Sequence, residues 1–214
     1  MRARSFWCAV LVVGLALTAQ LAFADVIIWA EEDTFTSQKS GETATNFNGQ
    51  GLLVKSQVGS RRSSWVECVL GTVQAQSASL CLYLSSIPSG WGTSHTVIVV
   101  ANQYNMNEAT LTYNTAPSTT TWTTMTGWTA SAIGQYYSAD VTSFYNANLG
   151  KRCTFKITQS DSNSVGGAYE DTESKYGTTN YPYLNVAPIP EPGGLLALGS
   201  AMIGLAGIVT RRRR

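Results

Sequence analysis

Residues 61–84 read RRSSWVECVLGTVQAQSASLCLYL, two short apolar runs separated by a polar turn. In the first run Val66, Cys68 and Leu70 fall on one face, and Trp65, Glu67 and Val69 on the other. In the second, Ala78, Leu80, Leu82 and Leu84 share a face opposed by Ser79, Cys81 and Tyr83. Successive side chains of a strand point to opposite faces, so period-two alternation over such lengths marks half-buried strands. Antiparallel neighbours with one face on a core give this pattern, and a one-residue slip would put the leucines in water. The pair is expected to form the centre of a β-sandwich that the other strands complete.

Working outward, residues 25–30 (DVIIWA) are an apolar run expected as the first strand, and 51–56 (GLLVKS) as the second. Between them, residues 31–50 are polar and rich in Gly and Asn, and read as a long loop. Residues 96–101 (TVIVVA) are a β-branched strand, and 109–113 (ATLTY) a short one ended by Asn114 and Pro117. A Thr/Trp-rich connector follows at 118–130, then an extended run at 135–142 and a helical turn or two within 143–148. Residues 152–159 alternate again with Cys153, Phe155 and Ile157 inward, and 160–167 read as a loop. Residues 181–186 (YPYLNV) are expected as an edge strand, where Pro182 is tolerated. Short strands, frequent turn signals and no internal repeat of 20–50 residues define the fold class as all-β, a single jelly-roll-type β-sandwich.

The ends differ from the middle. Residues 1–24 carry Arg2 and Arg4, an apolar stretch over about 6–17, and Ala22-Phe23-Ala24, which reads as a secretory signal peptide cut after Ala24. Residues 188–192 form a Pro-rich linker, 193–210 are 18 uncharged residues that just reach the length of a transmembrane helix, and Arg211–Arg214 end the chain as a basic cytoplasmic tail. These ends supply much of the positive charge behind the overall +1. Residues 25–188 hold eight Lys/Arg against twelve Asp/Glu, 8 − 12 = −4, so nothing in the folded part suggests nucleic-acid binding. Removal of Cys8 with the signal leaves Cys68, Cys81 and Cys153, an odd number. A Cys68–Cys153 disulfide in an oxidising compartment and two reduced core thiols both remain open.

Two resemblances follow from particular residues. Pro190-Glu191-Pro192, an apolar segment and a terminal Arg cluster resemble the bacterial PEP-CTERM sorting signal. That resemblance implies processing by an exosortase after signal peptidase, transient tethering to the inner membrane, and a final place at the cell surface or outside the cell. Residues 25–187 are similar to the DNRLRE domain, whose Arg-Ser-aromatic strand corresponds to Arg62-Ser63-Ser64-Trp65-Val66-Glu67-Cys68, with Cys68 where Phe is usual. Its Ser-Ala-x-Leu-x-Leu strand corresponds to residues 77–82. Its Glu-x-Thr-x-Thr-Trp-Asn…Pro element is similar to Glu108 through Pro117, with Tyr113 for Trp, and its Asp-Val-Thr to Asp140-Val141-Thr142. Thr45-Asn46-Phe47-Asn48 resembles its early Asn-aromatic-Gly, with Asn48 for Gly. The resemblance implies a jelly-roll related to carbohydrate-binding modules, some of them alginate-binding.

Catalytic chemistry is poorly supplied. His95 is the one histidine, beside a loop, where a surface position is expected and no Ser/His/Asp set can be assembled around it. The carboxylates of Glu31-Glu32-Asp33, Glu170-Asp171-Thr172-Glu173 and Asp161-Ser162-Asn163 suit calcium better than a glycosidase pair, yet no ligand spacing supports a metal, and no cofactor is expected. Binding is better supplied, because sugars offer apolar ring faces and hydroxyls to aromatic and polar side chains. Trp65, Glu67 and Tyr83 are expected on outward strand faces, and Lys55, Arg61 and Arg62 lie near them to pair with carboxylates of an acidic polysaccharide. Against this, Trp is usually buried, so Trp65 packed under a crossing loop is the stronger expectation, and edge cations also guard strands against aggregation. The expected function is an exported, non-catalytic carbohydrate-binding module. The alternatives are a biofilm-matrix or adhesion protein with a protein partner and, behind both, a polysaccharide-degrading enzyme.

Overall fold

The computed structural model describes residues 24–92, 94–159, 165–170 and 180–189. The expected signal peptide apart from Ala24, the expected sorting tripeptide Pro190-Glu191-Pro192 and the expected C-terminal span and basic tail lie outside those residues. Asp25–Pro188 form one compact unit. Its strands are β1 (Val26–Trp29), β2 (Glu32–Ser37), β3 (Leu52–Lys55), β4 (Arg62–Val69), β5 (Ala75–Ser86), β6 (His95–Asn102), β7 (Thr123–Met125), β8 (Thr129–Ala130), β9 (Gln135–Asp140), β10 (Arg152–Gln159), β11 (Gly166–Tyr169) and β12 (Tyr183–Pro188). Among the described residues one helix, α1 (Thr142–Ala147), stands between β9 and β10.

The strands pair antiparallel throughout, in two groups. One runs β1–β12–β5–β9, with β11 and β3 continuing from the far end of β5. The other runs β2–β4–β10–β6, with β7 and β8 beside β6. A single residue pair, Lys55↔Arg62, ties β3 to β4 and makes the whole one curled sheet. Val66, Cys68, Leu70, Phe155 and Ile157 of the second group share one buried core with Leu80, Leu82, Leu84 and Leu184 of the first. The chain is an all-β sandwich.

The deciding stretch is strand twice over, yet its halves are not neighbours. β4 pairs with β2, β3 and β10, whereas β5 pairs with β9, β11 and β12. The residues between them cross from one sheet to the other instead of making a hairpin. Gly71 accepts a backbone hydrogen bond from Gly150 at 3.0 Å, and a Cβ on it would lie 2.4 Å from the Tyr145 hydroxyl of α1. The leucines of β5 therefore meet Val66 and Cys68 across the sandwich rather than along a ladder.

Three further expectations are corrected. Residues 31–50 contain β2, whose sequence EDTFTS hides a strand because its buried side chains Asp33, Thr34, Thr36 and Ser37 are polar. Partners on other segments make two of them acceptable inside: Thr36 accepts the Trp65 indole N–H at 3.0 Å, and Ser37 donates to Glu42 at 2.7 Å. Residues 109–113 are turns, with the N–H groups of Thr110 and Leu111 both donating to the Asn107 carbonyl. β12 is an interior strand between β1 and β5, with Pro182 just outside it, and β1 is the edge.

Candidate functional site

Trp65 and Glu67 lie on the outer face of β4, but that face is covered. Residues 103–122 cross it and build a second small core in which Trp65 packs T-shaped on Trp122 at 5.8 Å, beside Met106 and Leu111. Trp65 is 1% exposed and Glu67 0%, so neither forms a sugar platform. A buried carboxylate is costly unless its oxygens are satisfied. Glu67 accepts from the Met106 N–H at 2.5 Å and from the guanidinium of Arg152, which also holds Glu31 at 2.6 Å. Glu108 fastens the same cover: it accepts from the Asp33 N–H at 2.9 Å, and its carbonyl takes the Asn46 side-chain amide. Asn46 and Glu108, two positions of the resemblance, thus fix loops.

A different group gathers at the β3–β4 corner. Lys55 and Arg62, paired in register there, both stand over the Trp91 ring, at 4.9 Å and 5.8 Å from its centre. Arg62 also lies over Phe35, which stacks on Phe47 at 4.2 Å. Trp91 owes its seat to Gly166 of β11, since a Cβ there would come 2.7 Å from the indole. Arg62 and Lys39 converge on a carboxylate, Glu42, at 3.1 Å and 2.7 Å. Burial raises the Glu42 pKa, but hydrogen bonds from Lys39, Ser37 and Arg62 outweigh it and hold it at about 2.

Lys55 has no such partner. It is buried, and among the described residues no carboxylate forms an ion pair with it. Burial and then the charges of Arg62 and Lys39 push its pKa down. A cation held among cations against an aromatic face is short of a counter-charge, and an incoming carboxylate would offset the repulsion from Arg62 and Lys39 and stabilise the charged ammonium against its burial. Arg61 is separated from this group: it is exposed, and its charge acts instead on Lys156, whose ammonium lies 5.1 Å from the Trp65 ring. Adjacent strand residues face opposite ways, so Arg61 and Arg62 could not both join Lys55.

Tyr83 belongs to neither group. It is on the outer face of β5, T-shaped against Tyr136 of β9 at 5.2 Å. His95 is not a surface residue but 1% exposed, at the start of β6, where its Nε2 lies 2.8 Å from the Tyr169 hydroxyl. Tyr169 also accepts the Trp128 indole N–H at 3.1 Å, so the three side chains form a structural knot inside the sandwich. Among the described residues no group of three His, Cys, Asp or Glu side chains is placed to hold a metal ion; residues 161–163 and 171–173 lie outside them.

Cys68 and Cys153 are cross-strand partners in the β4–β10 register, and both are free thiols. Burial raises both thiol pKa values, that of Cys153 to about 11. The thiolate is the reactive form, so neither is expected to react with iodoacetamide at pH 8 while the protein is folded. Peptide mass mapping checks this: unfolding in urea should expose both, and labelling of either in the native protein would place it nearer solvent than described. Cys81 is buried as well, on the opposite side of the first sheet, among the rings of the Tyr83 face.

The Lys55–Arg62–Trp91 corner was partly legible. Lys55 and Arg62 stand out as cations flanking a strand pair, and Trp91 as a loop aromatic. Lys39 and Glu42 gave no signal, because only the return of residues 38–47 past β4 brings them there. A comparison with curated proteins finds no match. Residues 24–187 match a family model described as carbohydrate-binding module family 96. Since the match spans the whole sandwich, cationic corner included, the chain belongs to carbohydrate-binding module family 96.

Proposed function

We propose that this chain is an exported, non-catalytic module of jelly-roll type that holds acidic polysaccharide at the cell surface or in the extracellular matrix. The carrying observation is Lys55, a buried cation with Arg62 beside it, Trp91 beneath both, and no ion-paired carboxylate among the described residues. A uronic-acid unit would set its carboxylate against Lys55 and Arg62 and a ring face near Trp91, the combination of charge and aromatic surface that such a sugar needs. Display would follow from the N-terminal signal, cut by signal peptidase after Ala24. The Pro190-Glu191-Pro192 tail would be read by an exosortase while the apolar segment at 193–210 tethers the chain to the inner membrane. No metal or cofactor takes part in this reading.

The test is affinity of the full chain for alginate and polygalacturonate, with Lys55→Met and Arg62→Met together. Methionine keeps an apolar stem over Trp91 while removing the charge. Each charge-assisted contact contributes about 1.5 kcal/mol or more, so the double variant should bind roughly 100-fold more weakly. Binding by the unaltered chain should also fall between 0.05 M and 0.5 M NaCl, since screening tightens with salt. Unchanged affinity in the double variant would overturn the reading.

Glu42→Gln is expected to act in the opposite direction. Glu42 stays ionised down to about pH 2 and engages Arg62 and Lys39, so its neutral amide should release both and tighten polyuronate binding several-fold. Isothermal titration at one salt concentration checks it, and weaker binding in Glu42→Gln would mean that Glu42 positions Arg62 rather than competing for it.

A further inference from the structure

The outer face of the first sheet carries an aromatic surface that the cationic corner does not use. In the β1–β12–β5–β9 register, Trp29 lies opposite Tyr183, Tyr183 opposite Cys81, and Tyr83 opposite Tyr136. These rings touch in an unbroken chain: Tyr83 to Tyr136 at 5.2 Å, Tyr136 to Tyr183 at 5.2 Å, Tyr183 to Trp29 at 5.5 Å, and Trp29 to Tyr181 at 6.1 Å. Three strand spacings separate β1 from β9, so the array reaches about 14 Å across the sheet. Trp29 remains 49% exposed, Tyr136 37%, and Ile27 beside them 48%. A sandwich has no folding reason to line five aromatics across its solvent face, and exposed apolar patches of this kind mark binding sites.

The surroundings define what would bind. β1, β12, β5 and β9 contain no Lys or Arg, and the carboxylates Asp25 and Asp140 border the array in the same register. A polyuronate, a nucleic acid or an anionic membrane would be repelled there. Ser79, Ser138 and Asn185 lie between and beside the rings on the same face, so hydroxyl and amide groups are interleaved with aromatic surface. Burial raises the phenol pKa values of Tyr136 and Tyr183, the latter to about 12, so both stay neutral hydrogen-bonding groups through the physiological range. Uncharged rings with neutral donors and acceptors among them suit a ligand with apolar faces and many hydroxyls.

We propose that this face is a second binding site, for a neutral glycan chain laid across β1, β12, β5 and β9 on Trp29, Tyr183, Tyr83 and Tyr136. It acts independently of the corner, so one module would join an acidic and a neutral polysaccharide. The test is titration of the full chain with cellohexaose, xylohexaose and mannohexaose, at 0.05 M and 1 M NaCl, alongside sedimentation velocity. At least one hexaose should bind, with no loss at high salt, and Trp29→Ala and Tyr136→Ala should each weaken it about tenfold. Both side chains are exposed, so thermal melting should move little, and Lys55→Met with Arg62→Met should leave hexaose binding intact. Three results would each overturn the site: no hexaose bound, binding indifferent to both aromatic variants, or an unaltered chain that is dimeric and becomes monomeric in Trp29→Ala, which would assign the face to a second copy. Loss of polyuronate binding in the corner variant tests the other site and does not bear on this one.

Discussion

Glu67→Ala should lower the unfolding free energy by about 3 kcal/mol, the low end of what removing one partner of a buried ion pair costs. The low end applies because the Arg152 side chain keeps 38% of its surface exposed and can turn to water once its partner is gone. What remains in Glu67→Ala is an unsatisfied Met106 N–H, a gap beneath residues 103–122 and a loosened Thr154 hydroxyl, which lies 3.4 Å from the same carboxylate. For a module of this size each kcal/mol moves the melting temperature by roughly 2–4 °C, so a drop of about 6–12 °C is expected by calorimetry. Trp65 fluorescence should change with it, because the cover over Trp65 is what the carboxylate fastens. Glycan binding at the corner should survive below the new midpoint. A melting temperature within 2 °C of the unaltered chain (about 0.5–1 kcal/mol) would show that Glu67 does not hold the cover.

Gly166→Ala is the second large effect, and it acts on fold and site together. The added methyl would sit 2.1 Å from the Val54 carbonyl oxygen and 2.7 Å from the Trp91 ring. The first contact is with backbone and cannot be relieved by a rotamer change; overpacking of this kind costs about 1–3 kcal/mol or more. Relief requires β11 to part from β3, and Gly166 is the residue in register with Lys55. Alternatively the indole is pushed off its seat, which removes the ring under both cations. On the proposed reading either response should weaken polyuronate binding, on the order of tenfold, and leave the proposed site on β1, β12, β5 and β9 unaffected. A variant with normal melting and normal polyuronate affinity would show that Trp91 has room to spare and is not part of the site.

Much of the sandwich was readable because alternation is a local property. Most inward residues of β4, β5, β6 and β10 are apolar at every second position, such as Val66 and Cys68, Leu80 to Leu84, Val97 and Val99, and Cys153 to Ile157, and a half-buried strand is what such a pattern marks. β2 was not readable, since its buried residues are polar and only become acceptable inside through partners tens of residues away, such as Trp65 for Thr36 and Glu108 for the Asp33 backbone. β11 was not readable either. Gly166-Gly167-Ala168-Tyr169 has little side chain to form a pattern, and is a strand only because Val54, Trp91, His95 and Leu84 close around it. The expected pairing of the two strands within residues 61–84 as neighbours failed for a related reason. Alternation states which face is inward, but is silent on which strand lies alongside.

The same division governs the sites. The sequence by itself determined that the chain is predominantly β and that the alternating apolar side chains of β4, β5, β6 and β10 line the core, and it marked Lys55, Arg62 and Tyr83 as candidates for recognition. Burial of Trp65 under a crossing loop was the stronger expectation from sequence, but only tertiary structure decided that residues 103–122 are that loop and that Glu67 is interior with it. It also decided that Arg61 leaves the cluster and Lys39, Glu42 and Trp91 join it, and that Trp29, Tyr83, Tyr136, Tyr181 and Tyr183 meet on one face. Periodicity fixes the orientation of each side chain relative to its own strand. Chain crossings and strand order fix what it meets, and they are set by the packing of the whole sandwich.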